Sequence, residues 1–194
     1  MIFASNNKDK LREIEEILTG YKIVSMKDAK LDHLDPEEDQ PTFYGNARKK
    51  AYEIYEYAKE PVIAEDSGLC IDIYDGWPGV ETKRFLDSIY PNQDNNEDIR
   101  NEYILERMRE LDKEQRKATV HCSVVYFDGK KEIVGTGIIN GYISTSSRGE
   151  NGFGFDHIFE LENGLTLAEL SREEKNQVSA RKLALLDFHN NFNL

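Results

Sequence analysis

The chain has 194 residues, of which 39% are hydrophobic and 10% aromatic, so it is long enough to bury a sizeable core and is not predicted to be disordered. Its 25 Lys and Arg residues and 37 Asp and Glu residues give a net charge of -12, which argues against a general nucleic-acid surface because phosphate backbones would be repelled. Small anions are not excluded, since salt screens distant charges over about 8 Å.

The two cysteines, Cys70 and Cys122, form neither a disulfide framework nor a C-x-x-C pair, so both are predicted to be buried and reduced. The amino-terminal stretch 1–4 is too short for a signal peptide. No run approaches the ~18 apolar residues of a membrane span. These features predict a soluble, cytoplasmic protein with no membrane partner and no nucleic-acid partner.

Strand and helix patterns alternate at the start of the chain. Residues 2–5 and 21–25 are typical of short strands. Between them, apolar residues recur at helical spacing, at Leu11, Ile14, Ile17 and Leu18. Gly20 follows and is predicted to end this helix. Strand, polar loop, helix and strand in this order predict an α/β layered fold.

A second helix is predicted over residues 43–59, after an acidic, proline-containing loop over 28–42. Lys50 lies seven positions after Phe43, so its side chain leans toward the apolar stripe of this helix, whereas Lys49 points away. A lysine that leans inward is costly unless it reaches solvent or meets an anion.

The stretch Glu65-Asp66-Ser67-Gly68-Leu69 separates two predicted strands, 61–65 and 69–73. In one interpretation, Asp66 caps backbone amides at a strand-to-turn junction. In the other, the two adjacent carboxylates hold a hard cation such as Mg²⁺, which prefers oxygen ligands, with a further ligand from residues 37–39. The residues alone leave both interpretations open.

The second half of the chain shows a different pattern. A polar loop over 91–98 precedes a third helix, and residues 118–145 are typical of strands linked by hairpins. Ser171 and Glu174 form a capping-box signature for a last helix that runs to about His189. The predicted fold is a single two-lobed α/β domain over 1–194, with a mixed sheet, flanking helices and a mostly antiparallel second lobe.

Two further stretches are candidates for binding. Lys10 follows Ser5, Asn6 and Asn7 at a helix start, where amides and side chains favour phosphate, although Asn at this position is usually an N-cap. The loop 149–156 combines glycines with aromatic rings, which favours either a β-turn with buried aromatics or a ring that stacks on a base. No zinc, serine-hydrolase or P-loop motif is present.

Five blocks occur in order along nearly the whole chain. They are Ser5-Asn6-Asn7-x-x-Lys10, Thr42-Phe43-x-x-Asn46-Ala47-x-x-Lys50-Ala51, Glu65-Asp66-Ser67-Gly68-Leu69 with Gly76-x-Pro78-Gly79-Val80, Gly152-Phe153-Gly154-Phe155-Asp156-x-Ile158-Phe159, and Glu174-Lys175-x-x-Val178-Ser179-Ala180-Arg181. This order resembles the inosine triphosphate pyrophosphatase family, house-cleaning enzymes that hydrolyse non-standard purine nucleoside triphosphates. The family has Thr and Gly at positions 5 and 6, Pro at 157 and His at 180.

The resemblance implies a homodimer of two-lobed α/β chains, with the substrate in a cleft between the lobes. The implied reaction is Mg²⁺-assisted hydrolysis of ITP, dITP or XTP to the monophosphate and pyrophosphate. By position, it assigns Mg²⁺ to Glu38, Glu65 and Asp66. It makes Asp66 the catalytic carboxylate, which takes a proton from the attacking water, assisted by Lys10 and Lys50.

The resemblance also assigns the remaining contacts to the substrate. The triphosphate meets Ser5, Asn7, Lys10 and Lys50, and Ser67 is a further substrate contact. The base and the pocket around it involve Phe153, Phe155, Asp156, Lys175, Ser179 and Arg181. On a continuous helix Arg181 would point about 120° away from Lys175 and Ser179, so a helix break is predicted near Ser179.

Ala180 is the departure that bears on selectivity. A donor such as Arg181 at purine position 6 would favour a keto over an amino group by about 1–3 kcal/mol. Loss of the family histidine removes a polar contact, which predicts a relaxed or altered preference among purines. Two alternatives stay open: a nucleotide-binding protein without turnover, and a pyrophosphatase for another triphosphate such as a pyrimidine or a pterin.

Overall fold

The computed structural model describes residues 1–91 and 96–192. Within this part of the chain the strands are β1 (Ile2–Phe3), β2 (Val24–Ser25), β3 (Val62–Ile71), β4 (Lys117–Phe127), β5 (Glu132–Ile143) and β6 (Phe159–Glu160). The helices are α1 (Lys8–Ile17), α2 (Phe43–Ala58), α3 (Glu97–Arg107), α4 (Arg172–Val178) and α5 (Ala180–Phe192). No helix of the described residues is long and apolar enough to cross a membrane.

The strands form a mixed sheet in the order β2-β1-β3-β4-β5-β6. Strand β1 pairs in parallel with β2 and with β3, and β5 pairs antiparallel with β6. The prediction of an α/β fold with a mixed sheet is therefore confirmed. The chain divides into two compact units: unit 1 is Met1–Ser67, His121–Ile138 and Ser179–Leu194, and unit 2 is Gly68–Val120 and Ile139–Val178.

The core of unit 1 forms where α2 packs on the sheet. Thr42 caps α2 by accepting a hydrogen bond from the Gly45 backbone amide, and the helix then presents Ala47, Ala51 and Ile54 to Val62 and Ala64 of β3. All of these side chains are buried. Because β3 alternates its side chains between two faces, this packing also decides which polar residues of the strand face α2.

In unit 2, the buried Arg116 guanidinium joins three segments. It donates hydrogen bonds to the carbonyls of Ile143, Met108 and Ser144. Burial lowers the pKa of this arginine. Its donors all meet backbone carbonyls, so this buried cation has a structural role and satisfies carbonyls that would otherwise be costly to bury.

The structure of the stretch from Glu65 to Leu69 differs from the predicted one. It was expected to be a junction between two strands, but β3 runs through it without interruption from Val62 to Ile71. Gly68 adopts the strand conformation instead of a sharp turn. Strand β3 pairs with β1 and β4 in the sheet, and this tertiary constraint overrides the turn preference of Asp-Ser-Gly.

The structure confirms the predictions for the last helix. The last helix does break at Ser179, between α4 and α5, and the capping box is formed by hydrogen bonds between Ser171 and Glu174 in both directions. Part of the predicted polar loop 91–98 lies outside the described residues, and α3 begins at Glu97. Cys122 is buried as expected, whereas Cys70 is only partly buried.

The close approach of β5 and α5 gives a stability prediction. A Cβ atom built on Gly135 would lie 2.2 Å from the Ala184 carbonyl oxygen and 2.5 Å from the Phe188 amide nitrogen. Because both atoms belong to the backbone of α5, Gly135→Ala should lower the free energy of unfolding by about 1–3 kcal/mol. Urea denaturation measures this loss.

Gly20→Ala is the matched control, since a Cβ atom there meets nothing within 4 Å. It should change the free energy of unfolding by less than about 0.5 kcal/mol. Equal unfolding free energies for the two variants would show that α5 does not pack against the β5 backbone as described.

Candidate active site

Glu65 and Asp66 project from opposite faces of β3. Side chains alternate along a strand, so Asp66 shares the face of Val62 and Ala64, which packs against α2. Glu65 points to the other face and meets residues of α1 and α5. The uninterrupted strand therefore gives two adjacent acids two different environments.

Glu65 is the centre of a buried ionic network in unit 1. Its Oε1 atom pairs with the Lys10 ammonium, and its Oε2 atom accepts hydrogen bonds from Arg181 Nε at 3.1 Å and from Cys122 Sγ at 3.3 Å. Glu13 accepts a further hydrogen bond from Arg181 Nη1. Glu65 is 1% exposed, so its carboxylate is removed from water and is compensated by the two cations that it contacts.

This network favours the charged forms of Glu65 and Arg181. Burial alone would raise the pKa of Glu65, but the attraction of Arg181 and Lys10 outweighs it and holds that pKa well below its usual range. Burial would lower the pKa of Arg181, yet Glu65 and Glu13 raise it. Removing one member of such a buried pair costs about 3–5 kcal/mol, because the partner is left as an uncompensated charge.

Asp66 is held by α2 and by the loop that precedes it. Asn46, completely buried, donates a hydrogen bond from Nδ2 to Asp66 Oδ2 at 2.9 Å and accepts one from the Gln40 amide at 2.9 Å. Lys50 Nζ lies 3.9 Å from Asp66 Oδ1 and 2.5 Å from Glu38 Oε1. The inward-leaning Lys50 thus meets the anions that its position on the helix predicted.

The environment of Asp66 raises its pKa to about 6. Burial is the main cause, Lys50 opposes it, and the Glu38 carboxylate raises the pKa further. A carboxylate with a pKa near neutrality can accept a proton and also release it at physiological pH, which is the property of a general base. Adjacent residues with pKa values shifted in opposite directions are typical of acid–base sites.

Glu38 and Asp66 fit a divalent cation by chemistry and position. Both are carboxylates, the oxygen ligands that Mg²⁺ prefers, and both lie beside one positive charge, the Lys50 ammonium. Glu65 fits less well as oriented, since both of its oxygens contact cations. Among residues 1–91 and 96–192, no group of three or more His, Cys, Asp or Glu side chains is arranged to hold a metal ion.

The start of α1 has the geometry of an N-cap. Asn7 Oδ1 accepts hydrogen bonds from the amides of Asp9 and Lys10 at 2.9 and 3.0 Å, and Ser5 Oγ accepts one from the Asn7 amide at 3.2 Å. The capping interpretation of these residues is therefore correct. A contact of Ser5 and Asn7 with phosphate stays a prediction.

In unit 2, the glycine-aromatic loop folds around Asp156. Its Oδ2 atom accepts hydrogen bonds from the Phe153 amide at 2.8 Å and from Lys175 Nζ at 2.6 Å. The Lys175 ammonium also lies 4.5 Å from the centre of the Phe153 ring. Gly152 has a φ of +75°, and a Cβ atom there would lie 2.3 Å from Asp156 Oδ2, so this tight fold requires glycine.

Phe153 and Phe155 are both partly exposed, whereas Asp156 and Lys175 are buried. Rings with an accessible face are compatible with stacking against a planar ligand. The structure thus brings Phe153, Asp156 and Lys175 together within unit 2. Their contact with a base stays a prediction.

The helix break orients Arg181 within unit 1. Ser179 interrupts the helical pattern, and its Oγ atom accepts a hydrogen bond from the Lys182 amide at 3.1 Å, so it caps α5. Arg181 then lies in the first turn of α5, where it reaches Glu13 and Glu65. The break predicted from the directions of side chains on a continuous helix is confirmed.

Two polar residues at the site were given no role from the sequence: Glu13 was not singled out, and Asn46 was part of a block only. Glu13 lies three positions after Lys10 on α1, so it shares a helix face with it. Asn46 lies four positions before Lys50 on the inner face of α2, next to the buried Ala47. In both cases the helical spacing from a lysine that the sequence had already singled out could have indicated the residue. The residues that Glu13 and Asn46 contact come from distant segments, so their partners could not be predicted in this way.

These features define a mixed α/β protein with a buried carboxylate–cation site around a strand. A model of the Ham1 family matches residues 1–191. The chain belongs to the Ham1 family, which confirms the family resemblance of the five blocks.

Named relatives are similar over nearly the whole chain. A dITP/XTP pyrophosphatase of Treponema pallidum is 40% identical over 185 residues, which cover 94% of this chain and 66% of the relative, so the chain spans just under two thirds of that protein. A dITP/XTP pyrophosphatase of Geobacillus kaustophilus is 41% identical, with 95% and 90% covered. The structure of a HAM1 protein from Coxiella burnetii has a TM-score of 0.85 and 31% identity, with 99% and 97% covered.

The raised pKa of Asp66 gives a prediction for stability. The folded-state pKa of about 6 lies above the ordinary value of 3.8. Asp66 therefore adds to the free energy of unfolding below about pH 4, and this contribution is lost as the pH rises through about 6. Asp66→Asn stays neutral throughout. Relative to the wild type, this variant should gain on the order of 1–3 kcal/mol of unfolding free energy between pH 4 and pH 7.

Urea denaturation of both proteins at pH 4, 5, 6 and 7 measures this difference. The readout is its change with pH, which is independent of any constant cost of the substitution. Gly20→Ala, where a Cβ atom meets nothing within 4 Å, changes no titratable group and should show no such gain. A difference between wild type and Asp66→Asn that stays constant from pH 4 to pH 7 would contradict the proposed environment of Asp66.

Proposed function

We propose that this chain hydrolyses non-standard purine nucleoside triphosphates, namely ITP, dITP and XTP, to the monophosphate and pyrophosphate. Membership of the Ham1 family and relatives named dITP/XTP pyrophosphatases support this reaction. The observation that carries the proposal is the buried Asp66, held by Asn46 and Lys50 with a pKa near 6. In this proposal Asp66 accepts the proton of the water that attacks the α-phosphorus.

The cations of unit 1 support a role in binding the triphosphate. Lys10 and Lys50 are each paired with a carboxylate, and a nucleoside triphosphate brings about four negative charges that compete for such ammonium groups through strong charge-assisted hydrogen bonds. Ser5, Asn7 and Ser67 are proposed as further substrate contacts. Lys10 is the most accessible of the cations around Glu65 and Asp66, with 18% of its side chain exposed.

We also propose Mg²⁺ as the cofactor. Glu38 and Asp66 would hold it, and the bound cation would supply stabilisation of the phosphoryl oxygens. Direct ligation by Glu65 is a weaker part of the proposal, since its ion pairs with Lys10 and Arg181 give it a second role in holding these two cations.

In unit 2, the proposed contacts to the base are Phe153, Phe155, Asp156 and Lys175. Phe153 and Phe155 are partly exposed residues with flat rings, and the buried Asp156–Lys175 pair fixes the loop that carries them. In unit 1, Ser179 and Arg181 complete the proposed set. The chain is proposed to work as one two-lobed catalytic domain, as a homodimer, and in the cytoplasm, where free nucleotides are available.

A substrate panel tests the reaction. The protein is incubated with ITP, dITP, XTP, GTP, CTP and a pterin triphosphate, with and without Mg²⁺, and pyrophosphate release is compared with release of single phosphate. We expect pyrophosphate from ITP, dITP and XTP, dependent on Mg²⁺.

Asp66→Asn should lower kcat by about 10²–10⁴-fold, since the general base is lost, whereas Asp32→Asn should keep the wild-type rate.

Each alternative has its own result in this panel. Binding of a nucleotide without release of pyrophosphate would identify a protein without turnover. A pyrimidine or pterin triphosphate as the best substrate would place the enzyme in another substrate class. Full activity of Asp66→Asn would overturn the catalytic role of Asp66.

Ala180 gives a separate prediction about selectivity. It lies buried in the first turn of α5 next to Arg181, where the resembling family has histidine. We expect the ratio of kcat/KM for ITP to that for GTP to be modest, on the order of 10-fold, because one polar contact is worth about 1–1.5 kcal/mol. A wild-type preference for ITP of several orders of magnitude would contradict this expectation.

A further inference from the structure

Two side chains of α3 hold one residue, Gly154, of the glycine-aromatic loop in unit 2. Glu97 Oε2 accepts a hydrogen bond from the Gly154 amide at 2.6 Å. Asn101 Nδ2 donates one to the Gly154 carbonyl at 2.8 Å. The two residues are four positions apart, so they lie on the same face of the helix and bind both polar groups of a single residue.

Gly154 depends on these bonds for its position. It has a φ of +63°, and a Cβ atom there would meet nothing within 4 Å, so no neighbouring atom restrains it on the side where a side chain would project. Glycine also has the widest backbone freedom of any residue. The pair of hydrogen bonds from α3 therefore restrains both polar groups of an intrinsically flexible residue.

The orientation of Gly154 decides where its neighbours point. Phe153 precedes it and Phe155 follows it, and both rings are partly exposed. Asp156 fixes the amide of Phe153 from the other side. A rotation at Gly154 would move Phe153 relative to Phe155, because both are attached directly to its peptide units.

We propose that Glu97 and Asn101 are positioning residues that set the base selectivity of this enzyme, by holding Gly154 and hence the rings of Phe153 and Phe155. This inference rests on the proposed function, in which these rings contact the base. Neither residue belongs to the five sequence blocks. Asn101 is buried, with 4% exposure, and its amide donor has a backbone partner in a loop more than fifty positions away.

The charge of Glu97 makes its contribution distinct. A carboxylate that accepts from a backbone amide forms a charge-assisted hydrogen bond, which is about twice as strong as a neutral one. Glu97→Gln keeps an acceptor of the same shape and removes the charge. Glu97→Ala and Asn101→Ala each remove one of the two bonds and leave the other.

Steady-state kinetics with ITP and GTP test the proposal, with inorganic pyrophosphate as a competitive ligand that has no base. For Glu97→Ala and Asn101→Ala we expect KM for ITP to rise about tenfold, as for one lost hydrogen bond, and the ITP-to-GTP ratio of kcat/KM to fall. The inhibition constant of pyrophosphate should be unchanged. Glu97→Gln should show a smaller effect in the same direction.

Glu102→Gln is the matched control, because Glu102 is an exposed acid on the same helix. It should leave all of these constants at wild-type values. If an alanine variant does not fold, the conservative Glu97→Gln variant still gives the selectivity ratio. Unfolding free energies of all variants are measured in parallel, so that a loss of folded protein is not mistaken for a change in KM.

Two results would overturn the proposal. One is an equal fall in kcat/KM for ITP and GTP with an unchanged ratio, which would show that the bonds to Gly154 are structural only. The other is an equal loss of pyrophosphate affinity, which would place the effect on the phosphate contacts. A wild-type protein that releases no pyrophosphate from ITP would instead show that the proposed function itself is wrong.

Discussion

The candidate site depends on the ion pairs of the buried Glu65 carboxylate. It is almost completely buried and is bonded to Lys10 of α1 and to Arg181 of α5. A buried charge is tolerated only when it is paired and hydrogen-bonded. Electrostatic attraction, as well as apolar packing, therefore holds β3, α1 and α5 in one arrangement in unit 1. This arrangement fixes the positions of Lys10 and Arg181.

The neighbouring acid has the opposite environment. Asp66 faces α2, where burial raises its pKa to about 6, while cations hold the pKa of Glu65 far below its usual range. One strand thus presents an acid whose pKa is held far below its usual range and an acid whose pKa is raised toward neutrality. This division of roles follows from the alternation of side chains in β3, with Asn46 and Lys50 on one face and Arg181 on the other.

Much of the local structure could be predicted from periodicity and capping signals. The helices containing Ile14 and Lys50 and the capping box at Ser171 are formed as expected, and so is the break at Ser179. The junction expected after Glu65 is instead an extended strand. Turn chemistry in Asp-Ser-Gly is a local preference, whereas strand pairing involves residues that are distant in sequence, which a local pattern does not reveal.

By itself, the sequence determined the α/β class and the family, because periodicity and block order are properties of the chain alone. It also determined that Lys50 turns inward, since helical geometry relates it to Phe43. Only the tertiary structure decided the partners: Glu13 for Arg181, Asn46 for Asp66, and Glu97 with Asn101 for Gly154. These pairs join segments far apart in sequence, and burial and hydrogen bonding select them only once the chain has folded.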